Sequence, residues 1–151
     1  MDRFTVRLSV GYPKAKDELN MVMARQGGVN PLDQVNQVVN RTELAAMQDA
    51  VSRVYIKDTV VNYVVSLVSQ TRNHPQIQRG ASPRATLAVV SMAKAAAFMN
   101  GRDYVLPDDV QTVFAGTVAH RLLLTADAQA QGIREEQLLS ALLSQIPAPG
   151  V

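Results

Sequence analysis

The 151-residue chain is 47% hydrophobic and 19% charged, the composition of a globular domain with apolar residues enough for a core. It has no cysteine, which excludes disulfides, a thiolate zinc site and a cysteine nucleophile and fits a reducing, cytoplasmic setting. No apolar run approaches the ~20 residues of a membrane span, and the opening residues do not read as a secretory signal. The net charge is only +2, but residues 1–103 carry 13 Lys/Arg against 8 Asp/Glu and residues 104–151 carry 2 against 5. An anionic ligand is therefore expected to meet the first two-thirds of the chain.

In chain order, "RFTVRLSV" (Arg3–Val10) alternates with strand period, placing Phe4, Val6, Leu8 and Val10 on one face. It reads as one short N-terminal strand with no sheet of its own. It either packs on helices or is the last strand of a sheet that lies elsewhere. Pro13 suits a first helical position, the stripe Leu19, Val22 and Met23 runs to about Arg25, and Gly27-Gly28 stops it. "GGVNPLDQ" reads as a loop. Thr42 reads as the N-cap of a helix striped by Leu44, Met47, Val51 and Val54, and Asp58 as the cap of the next. That segment, "TVVNYVVSLVSQTR", is valine-rich, but its length decides for helix, with Val61, Val64, Val65 and Val68 inward.

"NHPQIQRG" then reads as a loop. Ser82 caps a long helix from Pro83 to about Asn100, closed by Gly101. Pro107-Asp108-Asp109 opens another, its two acids suited to the positive helix start, with Val110, Val113, Phe114 and Val118 inward. "HRLLLT" reads as a short extended piece, Arg134–Ile146 as a last helix with Leu138, Leu139, Leu142 and Leu143 inward, and "PAPGV" as a disordered tail. Six helices and one strand define an all-α helical bundle, with no internal repeat.

Self-contained chemistry is absent from the sequence. There is no GxxxxGKS/T phosphate loop and no HExxH. His74 and His120 lie far apart and read as structural, adjacent Asp108 and Asp109 do not face each other on a helix, and no metal site is expected. Arg84 is the anomaly. A cation in the first turn of a helix is misplaced by roughly 0.3–1 kcal/mol. An anion at that end would explain it, since free N–H groups and a guanidinium fork both grip phosphate. The alternative is an exposed arginine whose stem covers alanine-rich surface.

"TRNHPQIQRGASPRA" (including Thr71, Arg72, His74 and Pro75), the Ala-rich helix after it, "GRDYVLPDDV" and "HRLLL" together resemble the C-terminal part of MoxR-family AAA+ ATPases. The opening Asp2-Arg3-Phe4 and Val10–Pro13 extend the likeness to nearly the whole chain. The resemblance implies that residues 1–12 are a remnant of the ATPase core, 13–146 a helical lid domain and 147–151 a tail. It places Arg84, after Ser82 and Pro83, at the sensor 2 position, which touches the phosphate of ATP bound on the same subunit. It places Arg3 where related proteins carry an arginine finger toward a neighbouring subunit. Leu106 departs from the family, where a capping Thr or Ser is usual. Implied for the whole protein are ATP with Mg²⁺, a ring, typically a hexamer, and chaperone-like assembly of client complexes, often with a von Willebrand A-domain protein. The segment by itself is expected to be inactive, with its phosphate loop and Walker B acids upstream. An all-α helix-turn-helix nucleic-acid reader is the alternative, but the Pro83–Asn100 helix offers mainly Ala, Val and Met where such a reader needs polar and basic side chains.

Overall fold

Local capping decides where the first helices begin in the computed structural model, which describes residues 3–26 and 30–150. Helix α1 (Ala15–Gln26) has Asp17 and Glu18 in its first turn and Arg25 in its last, each at the favourable end of the helix dipole. The Gly27-Gly28 stop lies outside the described residues. Pro31–Gln34 form a 3-10 turn, where Asn30 Oδ1 accepts from the Leu32 N–H at 3.2 Å. Helix α2 (Arg41–Arg53) is not capped by Thr42 as expected. Asn40 Oδ1 accepts from the Glu43 N–H at 2.9 Å, and Glu43 Oε2 accepts from the Asn40 N–H at 2.8 Å. This reciprocal pair is a capping box, which satisfies two orphan donors where a threonine alone would satisfy one.

The chain forms two compact units, one of Leu8–Met47 and one of the residues up to Arg7 together with Gln48 onward. In the Leu8–Met47 unit, the expected stripe Leu19, Val22 and Met23 is exposed.

The core lies in the other unit. It is built from α3 (Asp58–Asn73), α4 (Pro83–Met99), α5 (Pro107–Val118) and α7 (Glu135–Gln145). Helix α4 contributes Ala85, Val89, Ala93 and Ala97, helix α5 contributes Val110, Phe114 and Val118, and helix α7 contributes Leu138, Leu139 and Leu142. The most extensive helix–helix packing among the described residues joins α4 to α5. Helix α3 buries Val60, Tyr63, Val64, Leu67, Val68 and Thr71, while Val65, expected inward, is 48% exposed. A helix with valine on several faces leaves its rotational phase open until its neighbours choose it. Asp58 sits inside the first turn of α3, and Lys57 occupies the N-cap position instead.

Three further expectations are corrected. Arg3–Val10 forms no strand: Phe4, Leu8 and Val10 are exposed, and Arg7 is tied to the protein by its N–H donating to Gly116 O at 2.9 Å. Alternation marks a preferred face, but a strand needs a partner edge, and Arg3–Val10 pairs with none among the described residues. The sheet instead joins a segment read as loop to "HRLLLT", the segment read as extended. Strand β1 (Ile77–Arg79) pairs antiparallel with β2 (Leu123–Leu124), Ile77 opposite Leu124 and Arg79 opposite Leu123, with an irregularity between. A five-residue helix, α6 (Ala126–Ala130), follows β2 and is capped by Thr125 Oγ1 accepting from the Ala128 N–H. It is too short to show a period.

Helix α4 closes on Gly101, whose φ of +71° suits glycine. The Arg102 N–H donates to Ala97 O at 3.0 Å and the Gly101 N–H to Phe98 O at 2.9 Å, a Schellman motif. The next contact corrects the simple dipole account of Asp109. Arg102 donates from Nη1 to Asp109 Oδ2 at 2.7 Å and from Nη2 to Oδ1 at 2.6 Å, and the Leu106 N–H donates to Oδ2 at 2.8 Å. Asp109 is thus a buried bidentate partner of Arg102, and it caps the N–H of Leu106, which has no acceptor of its own. Burial alone pushes the Asp109 carboxyl up; the hydrogen bonds from Arg102 and Leu106 outweigh it and hold it below the usual carboxylate range. The same hydrogen bond to Asp109 holds the Arg102 guanidinium above its ordinary value.

Asp109→Ala should lower the unfolding free energy by about 1–3 kcal/mol, read by urea denaturation. The folded-state pKa of Asp109 lies below its unfolded value, so its contribution is full above the unfolded value of roughly 3.9 and is lost as pH falls through the folded one. Asp109→Asn should therefore flatten the fall of the melting temperature below about pH 4. A steep fall kept in the variant would contradict this.

Candidate functional site

The start of α4 is held by the end of α3. Thr71 is fully buried; its hydroxyl donates to Val68 O at 2.6 Å and accepts from the Ala81 N–H at 3.0 Å. Arg72 Nε donates to Ala81 O at 2.8 Å, so Ala81 is fixed through both its backbone groups. Gly80 runs so close to α3 that a Cβ there would lie 2.6 Å from Arg72 Cα and 2.6 Å from Thr71 O. On the other side the loop is tied to the ribbon, the Thr125 N–H donating to Gln76 O at 3.0 Å. His74 Nδ1 accepts from the Gln76 N–H at 3.2 Å, a local structural role of the kind expected.

The next residues enter α4. Ser82 takes the N-cap position with extended backbone (φ −76°, ψ 166°), Pro83 is the first helical residue and the Ala85 N–H donates to Ser82 O at 2.9 Å. Arg84 follows at the second helical position. It is exposed and forms no hydrogen bond or ion pair with the described residues, and the first turn of α4 holds no acid. The Ala85 N–H is taken by Ser82 O and Pro83 has no N–H, so the start of the helix presents the Arg84 guanidinium together with the Arg84 N–H. This donor set fits phosphate oxygens. It offers no base to activate a nucleophile. Among the described residues no group of three or more His, Cys, Asp or Glu could hold a metal ion.

Arg3 is also exposed, and its side chain makes no hydrogen bond with the described residues. The carbonyl of Phe4, the next residue, accepts from Arg121 Nη2 at 2.7 Å and from His120 Nε2 at 3.0 Å. His120 thus also has a structural contact. No hydrogen bond joins Arg3 to Arg84; they are two separate features.

Sequence reasoning did not reach the supports of these arginines. Thr71, Arg72 and Gly80 lie inside the quoted "TRNHPQIQRGASPRA" but carry no periodic signal, because their partners are backbone atoms about ten residues away. Asp109 did carry a signal. An acid at the third helical position is half of a capping box even when the cap itself is leucine.

Helices packed around one alanine-lined helix, beside a small two-stranded sheet, define the fold. Residues 69–142 match the family model of the AAA lid domain. The chain is 34% identical over 149 residues to the uncharacterized protein YeaC of Bacillus subtilis, covering 99% of this chain and 46% of YeaC. It is 34% identical over 159 residues to the chaperone MoxR1 of Mycobacterium tuberculosis, covering 99% of this chain and 41% of that one. A crystal structure of an ATPase candidate from Cytophaga hutchinsonii superposes with a TM-score of 0.87 at 31% identity, covering 99% of this chain and 48% of that one. The chain belongs to the MoxR-like AAA+ family and carries its lid region. It spans less than half the length of these relatives.

Gly80→Ala should force the loop off α3 and lower stability by roughly 1–3 kcal/mol, as overpacking does. Thr71→Val should also destabilise, since the Ala81 N–H loses its buried acceptor. Wild-type melting temperature in Gly80→Ala would show that the loop yields freely.

Proposed function

We propose that this lid region reads the nucleotide state of a MoxR-like AAA+ ATPase through Arg84. The observation that carries the reading is an exposed arginine without a counter-charge, fixed at the positively polarised end of a helix whose entry loop is locked on both sides. Arg84, through its guanidinium and its own N–H at the start of α4, would hold the terminal phosphate of ATP bound with Mg²⁺ on the core of the same subunit. When bound, that nucleotide supplies the cleavable phosphate bond. The lid's own residues supply position and charge, and they report occupancy to α4. Ser82 and Pro83 set the helix start that aims Arg84.

In the same reading Arg3 extends toward the nucleotide of the next subunit in a ring, a hexamer in the cytoplasm, and acts in trans as an arginine finger. Such a finger is worth about 10³–10⁵ in turnover where it has been measured. Support for it comes from its exposure and its lack of a partner within the described residues. The output would be chaperone-like assembly or activation of client complexes, with a von Willebrand A-domain protein as partner. One relative, MoxR1, is named a chaperone.

In the full-length protein, Arg84→Ala should keep the wild-type melting curve, because the side chain is exposed, and should lower ATP turnover. Arg84→Lys should restore little, since a point charge lacks the two-pronged fork. Full turnover at wild-type stability in Arg84→Ala would overturn the sensor reading. Arg3→Ala should lower turnover while sparing nucleotide binding. Mixing it with a subunit unable to bind nucleotide should recover some activity if the arginine acts across the interface. Unchanged turnover in Arg3→Ala would reduce Arg3 to a surface residue. The 151-residue chain alone, which contains no phosphate loop, should release no phosphate from ATP above background.

A further inference from the structure

We infer that Arg121 and His120 are positioning residues for Arg3, acting through the carbonyl of Phe4. The inference rests on the reading of Arg3 as a finger. Apolar burial holds the segment around Arg3 only at half-buried Val6, since Phe4 is 69% exposed and Arg3 and Thr5 are exposed as well. It is held by polar contacts to the end of α5 and the 3-10 turn Ala119–Arg121 that follows. Arg121, buried, donates from Nη2 to Phe4 O at 2.7 Å and more weakly to Thr5 O at 3.4 Å. His120 Nε2 donates to the same Phe4 O at 3.0 Å. Because a carbonyl can only accept, Nε2 carries the proton, and the buried Nδ1 of His120 makes no hydrogen bond within the described residues. The Arg7 N–H donates to Gly116 O three residues further along.

One carbonyl thus receives two donors, a guanidinium N–H and an imidazole N–H. The peptide unit joining Arg3 to Phe4 is planar, so only the two backbone dihedrals of Phe4 separate the fixed carbonyl from Arg3 Cα. Clamping Phe4 O therefore aims the arginine before it. The clamp is built on the end of α5, the helix packed most extensively on α4, whose start carries Arg84. The residue proposed to read a subunit's own nucleotide and the residue proposed to act on the neighbour's are mounted on the same pair of packed helices. Movement of that pair carries Arg3 with it.

The test uses full-length protein with Arg121→Lys, which keeps the charge, and His120→Ala, which leaves the buried arginine in place. Each should lower kcat roughly ten- to hundredfold, the penalty of a misplaced group, with KM and nucleotide affinity unchanged. Melting temperatures should stay close to wild type, and amide hydrogen exchange over residues 3–7 should quicken. His120→Gln, which retains a donor, should recover part of the rate. Arg3→Ala combined with Arg121→Lys should be no slower than Arg3→Ala alone, because a positioning residue has nothing left to position. Full turnover in Arg121→Lys and His120→Ala, with Arg3→Ala impaired, would overturn the positioning role and leave the finger standing. A double variant slower by the product of the single losses, or losses that track lowered melting temperatures, would also overturn it. Full turnover in Arg3→Ala would remove the finger and this inference with it.

Discussion

The close approach of Gly80 to the backbone of Thr71 and Arg72 is the constraint on which the rest of the lid depends. It brings the loop near enough for the Thr71 hydroxyl and Arg72 Nε to take both backbone groups of Ala81. Ala81 is the last buried residue before the N-cap, so its position sets the origin of α4. The direction of α4 in turn sets which of its small residues face α5 and where Arg84 emerges. A side chain at position 80 would separate loop from helix and shift all of this together. Close packing leaves no room for a graded response.

Much of the helical layout was legible in the residues, because it depends on short-range chemistry. Pro83 and Gly101 bracket α4 where the pattern placed them, and Pro107 opens α5. The misreadings share a cause, which is information held outside the segment being read. Arg3–Val10 alternates like a strand, yet its described surroundings provide backbone carbonyls and donors at the end of α5 instead of a strand edge. The valines of α3 admit several inward faces, and packing chose the one with Tyr63 and Thr71. Strand β1 is three residues long and exists because Leu123–Leu124 lies beside it. The candidate site was half legible. Arg84 stood out because it violates a local rule, whereas its supports are side chain-to-backbone contacts that leave no pattern in sequence.

Membership of the MoxR-like AAA+ family gives the two exposed arginines a common context. Neither arginine is paired within the described residues. Two carboxylates hold the fold instead. Asp109 is bound to Arg102, and Glu43 caps α2. No helix among the described residues is long and apolar enough to cross a membrane.

The alanine-lined inner face of α4 has a mechanical consequence. Ala85, Ala93 and Ala97 allow close approach of the neighbouring helix and, apart from Val89 between them, offer little relief for side chains to mesh, so the seam sets axial register mainly at that one valine. That register is fixed at the two ends: at the start by Ala81 bound to α3, and at the finish by the Gly101 turn and the Arg102–Asp109 pair bound to α5. A rod pinned at both ends, with a single valine between them, resists sliding along its length more than rolling about it. Such a rod passes torque, more than thrust, from one end of the lid to the other.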